Sequence, residues 1–211
     1  MHDLFEDRND AGRKLAKRLG EYHNTSAVLL AIPRGGVPVV AAAARRLQLE
    51  WNVFVARKLP IPSNPEAGFG AITADGCVVF NKRILHGLHL STNDIDSVLA
   101  DQKAEAVRRT KLYSTARLPT NISHRTVIVI DDGLASGYTM LAAIKALRAK
   151  EASRIIAAAP VASRSAAAMV ELAADECVFE MISNAVPFAV ADFYLTWLDL
   201  TDEDVLSLLK E

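Results

Sequence analysis

The segment Val127-Ile128-Val129-Ile130-Asp131-Asp132-Gly133-Leu134-Ala135-Ser136-Gly137-Tyr138-Thr139 decides how this chain is read. With Thr126 before it, its first part is a β-branched apolar run of strand length, the pattern of a strand buried on both faces. Two adjacent carboxylates end the run, a short loop with two glycines follows, and Gly137–Ala149 reads as a helix. Glycines let backbone N–H groups approach a ligand closely. The helix N-terminus adds unpaired N–H groups and the positive end of its dipole. With the hydroxyls of Ser136 and Thr139, this is a cradle for one phosphate. Acids beside such a cradle would repel the phosphate unless they served another group. A carboxylate accepts two hydrogen bonds from a vicinal diol, so phosphate next to diol describes a ribose 5-phosphate. The competing reading is that Asp131 and Asp132 only end a strand and cap a helix. A triphosphate loop fits poorly, because no Gly-Lys-Ser/Thr is present, and a dinucleotide fingerprint fails on glycine spacing.

Working outward, a second glycine loop, Ile32-Pro33-Arg34-Gly35-Gly36, follows the apolar strand Ala27–Ile32 and precedes a small-residue helix over Val37–Leu47. Arg34 with Gly35 and Gly36 can supply the cation and backbone donors that a pyrophosphate needs. Trp51–Ala56 reads as a further strand, and Arg57-Lys58 at its end places two cations at the same sheet edge. Pro60, Pro62, Pro65, Gly68 and Gly70 read as an irregular loop. Phe69–Thr73 and Val78–Asn81 read as a hairpin about Ala74-Asp-Gly. Ser91/Thr92 open a long polar helix to about Tyr113 bearing Glu105, Arg108 and Arg109. Beyond the central segment, strands over Arg154–Ala159 and Cys177–Phe179 flank a helix over Ser163–Ala173, and Thr201-Asp-Glu-Asp opens a last helix. Near the N-terminus, Asp10–Leu19 has helical spacing. This alternation predicts an α/β, doubly wound, mainly parallel sheet in one domain, with ligands beyond the carboxyl ends of the strands.

The central segment closely resembles the signature by which type I phosphoribosyltransferases bind phosphoribosyl pyrophosphate (PRPP). The resemblance implies that Asp131 and Asp132 hold the ribose hydroxyls and that Ala135, Ser136, Gly137, Tyr138 and Thr139 hold the 5-phosphate. It implies that Arg34, Gly35 and Gly36 form the pyrophosphate loop, with Arg57 and Lys58 beside it. Over nearly its whole length the chain resembles a branch of this family whose acceptor is undefined. The stretch from Arg57 to Gly70, the helix bearing Glu105, and the tail from Pro187 to Val205 carry that likeness. In that branch a hood-like insertion spans about 58–125, and a C-terminal segment spans about 181–211. By analogy with purine enzymes, Phe188 would stack on a base and Asp192 would assist a Mg2+ ion near Asp131 and Asp132. The competing reading makes Phe188, Tyr194 and Trp197 core or interface aromatics. Enzymes acting on 6-oxopurines usually carry an Asp at the position of Ala135, so a hypoxanthine or guanine enzyme of usual design is disfavoured. The implied reaction is attack of a nitrogen nucleophile, such as a nucleobase, on PRPP with loss of pyrophosphate. The implied assembly is a homodimer. A regulatory protein that senses metabolites with the same site is the alternative.

Composition narrows the classes. The chain has 211 residues, half of them apolar, and a net charge of −1. Near neutrality gives no global field toward nucleic acid or an anionic membrane. No apolar run is long enough to span a bilayer, and the start has no signal-peptide character, so the expected location is the cytoplasm. Cys77 and Cys177 lack metal-ligand spacing and read as buried hydrophobes. His2, His23, His86, His89 and His124 form no triad and read as loop residues.

Overall fold

A computed structural model describes residues 4–117 and 119–211; His2 lies outside them. Among these residues, strands β1 (Val28–Ala31), β2 (Glu50–Val53), β6 (Thr126–Ile130), β7 (Arg154–Ser163) and β8 (Glu176–Ser183) form one sheet in the order β2-β1-β6-β7-β8. Every pairing in it is parallel, with Val28 opposite both Glu50 and Val127. Period-two alternation explains how both faces are apolar. Leu29, Ala31, Ile128, Ile130, Ile156 and Ala158 face one cluster, and Val28, Leu30, Val127, Val129, Ile155 and Ala157 face the other. Helices α1 (Arg8–Arg18), α2 (Gly36–Leu47) and α7 (Asp202–Leu209) cover the first face. Helices α5 (Tyr138–Ala149) and α6 (Arg164–Glu171) cover the second. This is the doubly wound α/β arrangement that the strand–helix alternation predicts. The Thr201 capping box at α7 forms as its sequence requires.

Between β2 and β6 the chain leaves the parallel sheet. Strands β3 (Ala56–Ile61), β4 (Asn64–Thr73) and β5 (Val78–Phe80) make a separate antiparallel sheet in that order. Helices α3 (Lys82–Gly87) and α4 (Thr92–Ser114) follow, and apolar residues of both pack on Leu59, Phe69 and Ile72. Two expectations change here. Trp51–Ala56 is not one strand: the chain passes from β2 to β3 around Phe54, whose N–H still donates to Ala31 at 2.8 Å. The Pro/Gly stretch is not an irregular loop but a hairpin with register shifts at Pro60. Proline is tolerated because β3 is an edge strand, and Pro62 lies in the connection. Gly70 is needed because a Cβ there would press on the backbone of β5.

The N- and C-terminal segments pair beside the parallel sheet. Phe5 and Tyr194 form a parallel bridge, and Leu195 and Thr196 donate to the carbonyls of Phe5 and Glu6 at 2.8 and 2.9 Å. Among the described residues, no helix is long and apolar enough to cross a membrane.

Candidate active site

The carboxyl ends of β1 and β6 lie side by side at the centre of the sheet, and the loop after each turns into a helix. After β6, Leu134 bridges to Ala162 and Ser163 donates its hydroxyl to the Ala135 carbonyl at 2.7 Å. The same hydroxyl caps α6 by accepting from Ala166 N–H at 3.1 Å. These bonds hold the base of the loop. Its crest, Ala135 and Ser136, is exposed. Among the described residues no protein acceptor takes the amides of Ala135, Ser136 or Gly137. The first turn of α5 leaves further N–H groups unpaired. Gly137 has φ +77°, a left-handed backbone that side chains rarely adopt, so the turn needs glycine there. Ala135, Ser136, Gly137, Tyr138 and Thr139 are therefore brought together as one open nest of donors.

The acid pair sits between this nest and the loop after β1. Asp131 accepts the Asp132 N–H at 2.9 Å. Burial, and then the neighbouring Asp132 charge, push the Asp131 carboxyl well above its usual range. Asp132 accepts the Arg8 Nε–H at 2.8 Å, and its backbone carbonyl accepts the Tyr194 hydroxyl at 2.6 Å. The loop after β1 approaches so closely that a Cβ on Gly36 would lie 2.7 Å from the Ile130 carbonyl. A Cβ on Gly35 would strike the Asp132 carboxylate. Both glycines are thus demanded by contact between the two loops. The Pro33–Arg34 peptide is cis.

A cleft of about 330 Å³ opens over the loop after β1, lined by Arg8, Arg34, Gly35, Arg57, Arg109, Asp132, Asp199 and Leu200. Four guanidiniums face two carboxylates across it. Burial, followed by the charge of Arg109, lowers the Arg57 pKa, and Arg34 adds to the effect. Such crowding of like charges is relieved by an anion. Asp202, at the start of α7, supplies part of the counter-charge. It accepts from Arg108 Nη2 at 2.6 Å and from the Tyr113 hydroxyl at 2.7 Å, and lies 3.7 Å from Arg34 and 3.8 Å from Arg109. Glu105 binds Arg108 and Arg109 on the same helix.

The site residues expected from sequence divide accordingly. Asp131, Asp132, Arg34, Gly35, Gly36, Arg57 and the loop 135–139 share one edge. Lys58 does not join them: strand alternation turns it outward, where its Nζ donates to the Glu66 carbonyl at 2.7 Å. Phe188 rests on Phe193 at a centroid distance of 5.2 Å, within the aromatic cluster of Phe5 and Tyr194. Asp192 lies on a single 3-10 turn. It does not gather with Asp131 and Asp132, and no group of three potential ligands forms among the described residues. The cysteines are half-buried rather than core residues. Arg109, Tyr194 and Asp202 enter the sequence reading only as parts of a charged helix, an aromatic tail and a capping stretch, not as site residues, and Arg8 is passed over altogether. Arg8 lies 124 positions from the acid it pairs with, and no local pattern marks it.

Magnesium is bound mostly by substrate oxygens and one or two carboxylates, so it needs no all-protein cage. The adjacent Asp131 and Asp132 fit that role, and they would hold such an ion jointly with a phosphorylated ligand.

Comparisons with known proteins identify the family. A family model described as a phosphoribosyl transferase domain matches residues 73–193, more than half of the chain. A Mycobacterium tuberculosis (strain H37Rv) protein, provisionally named a phosphoribosyl transferase, is 37% identical over 206 residues, 98% of this chain and 46% of that protein. The chain therefore spans about half the length of the curated relatives it matches. The crystal structure of TT1426 from Thermus thermophilus shares 33% identity at a TM-score of 0.80, covering 98% of each chain. A Neisseria gonorrhoeae protein solved with bound ppGpp shares the fold alone, with 12% identity and a TM-score of 0.51 over 100% of this chain and 95% of that one. The family match takes in the acid pair and the donor nest, the two features on which the site is built: this chain belongs to the phosphoribosyl transferase family.

Proposed function

We propose that this chain transfers the 5-phosphoribosyl group of PRPP to a nitrogen nucleophile, a nucleobase or related amine, with release of pyrophosphate. The observation that carries the reading is the order of three features along one sheet edge. The donor nest at 135–139 takes a phosphate, Asp131 and Asp132 take a diol, and the arginine cleft takes a polyanion. That order matches the 5-phosphate, ribose and pyrophosphate of PRPP. The nucleophile's lone pair forms the new bond to C1 as the bond from C1 to the pyrophosphate oxygen breaks. Positive charge builds on the ribose and negative charge on the leaving group. Anchoring the sugar at both ends supplies the orientation for this step. Arg34, Arg57 and Arg109 stabilise the departing pyrophosphate, and fixed charges of this kind act without reorganisation. Magnesium, when bound with PRPP, would add neutralising charge beside Asp131 and Asp132.

The test is pyrophosphate release from PRPP and Mg2+ across a panel of nucleobases and small amines. Release with at least one acceptor, abolished by Asp131→Asn/Asp132→Asn, supports the reading. No release with any acceptor, from protein shown by calorimetry to bind PRPP, would favour a second reading. In it the site binds a polyphosphorylated metabolite for regulation. The arginine cleft is a general polyanion site and would serve such a ligand as well.

A further inference from the structure

Arg8 is the first residue of α1, yet only 8% of it is exposed. Its guanidinium is held on three sides. Nε donates to Asp132 Oδ2 at 2.8 Å, Nη1 donates to the Leu198 carbonyl at 2.8 Å, and the group lies 3.8 Å from the Trp197 ring centroid. Tyr194, from the same C-terminal segment, grips the Asp132 main chain. The acid is therefore held by side chain and backbone at once, through two terminal segments that are themselves bridged at Phe5 and Tyr194. A carboxylate at a strand end is otherwise free to rotate, and a diol is bound well only when both oxygens keep one plane. A guanidinium whose other donor is tied to Leu198 offers its Nε–H to one Asp132 oxygen from a fixed direction, which a freely rotating lysine ammonium does not. Stacking on Trp197 and the bond to Leu198 in turn fix the guanidinium.

We propose that Arg8 is a positioning residue for the ribose site. It sets the Asp132 carboxylate in the orientation that receives the hydroxyls, and it couples the segment from Phe193 to Leu198 to donor binding. The inference rests on the reading of Asp131 and Asp132 as the diol site. Arg8 lies at the border of the arginine cleft as well, so direct contact with pyrophosphate is the rival role.

The experiment is isothermal titration calorimetry of wild-type, Arg8→Gln and Trp197→Leu proteins with three probes: ribose 5-phosphate, inorganic phosphate and pyrophosphate. Wild type is expected to bind ribose 5-phosphate more tightly than phosphate. If it does not, the diol reading fails before any variant is considered, and the proposal falls with it. Given that preference, Arg8→Gln should weaken ribose 5-phosphate by about tenfold, the scale of one charge-assisted hydrogen bond. Phosphate affinity should stay unchanged. Trp197→Leu should give the same pattern at smaller amplitude, and it carries the test alone if Arg8→Gln does not fold. Unchanged ribose 5-phosphate affinity, or an equal loss for inorganic phosphate, would overturn the proposal. So would a loss confined to pyrophosphate, which would make Arg8 a direct ligand of the leaving group.

Discussion

Gly35→Ala is the substitution that most directly probes how the two loops meet. The new methyl carbon would lie 2.7 Å from one Asp132 carboxylate oxygen and closer still to the other. Asp132 has a short side chain, so the carboxylate must rotate away as a unit. Rotation breaks the 2.8 Å bond from Arg8 and leaves a guanidinium with 9% side-chain exposure without its counter-ion. Deleting one partner of a buried pair costs about 3–5 kcal/mol; both charges survive here and Leu198 still accepts from Arg8, so we expect about 2 kcal/mol. For a chain of this size that lowers the melting temperature by about 4–8 °C. Calorimetric melting, with ribose 5-phosphate titration on the same samples, reads both consequences, and affinity should fall at least about tenfold as the diol acceptor turns away. Gly20→Ala is the control, since a methyl there meets nothing within 4 Å. If Gly35→Ala melts with the wild type and binds ribose 5-phosphate equally well, the close approach of residue 35 to Asp132 is not a feature of the folded protein in solution.

Other perturbations follow from the same geometry. Arg57→Ala should weaken pyrophosphate binding by about tenfold and flatten its salt dependence, whereas Lys58→Ala, already turned to Glu66, should change neither; equal effects would refute the assignment of faces. Hydrogen bonding from Arg108, reinforced by Arg109, holds Glu105 down to about 2. Because that value lies below the unfolded-state value, the stabilisation is complete above about pH 4.5 and is lost as pH falls toward 2. Melting curves of Glu105→Gln between about pH 5 and pH 3 should therefore fall less steeply than wild type, and parallel curves would contradict this. Burial pushes the Cys177 thiol up to about 11, and Cys77 is raised too. Alkylation by iodoacetamide at about pH 8 should be at least about tenfold slower in the folded than in the urea-unfolded protein, measured by mass spectrometry of both cysteines.

The readable parts of this molecule are those whose physics is local. A both-faces-buried strand, a pair of acids, and glycines before a helix are contiguous from Val127 to Thr139, so the nest and acid pair can be recognised without knowing the fold. The same holds for Arg34-Gly35-Gly36, for Ser91, which caps its helix, and for Thr201, whose capping box forms as expected. Pro60 misleads at β3 because a residue that disrupts a central strand is harmless on an edge, and Gly70 misleads at β4 because it serves a close approach to β5; both depend on a sheet not yet assembled. Lys58 groups with Arg57 in the sequence because adjacent cations look alike there; a strand separates them to opposite faces. Arg8, Arg109 and Asp202 reach the cleft from three helices, and their partnership exists only after α1, α4 and α7 have packed on the core.

The excursion between β2 and β6 has an implication for recombining parts among related proteins. It could be mistaken for a detachable cassette, because its antiparallel sheet shares no strand with the parallel one. Yet Arg57 and Arg109 come from it, half of the guanidiniums around the cleft, and its Arg108 and Tyr113 clasp Asp202, which lies outside its bounds. A chimaera that exchanged the excursion alone would strand Asp202 facing a foreign helix and halve the cationic wall. The unit of inheritance is the excursion together with α7, although Arg108 and Asp202 are separated by 94 positions along the chain.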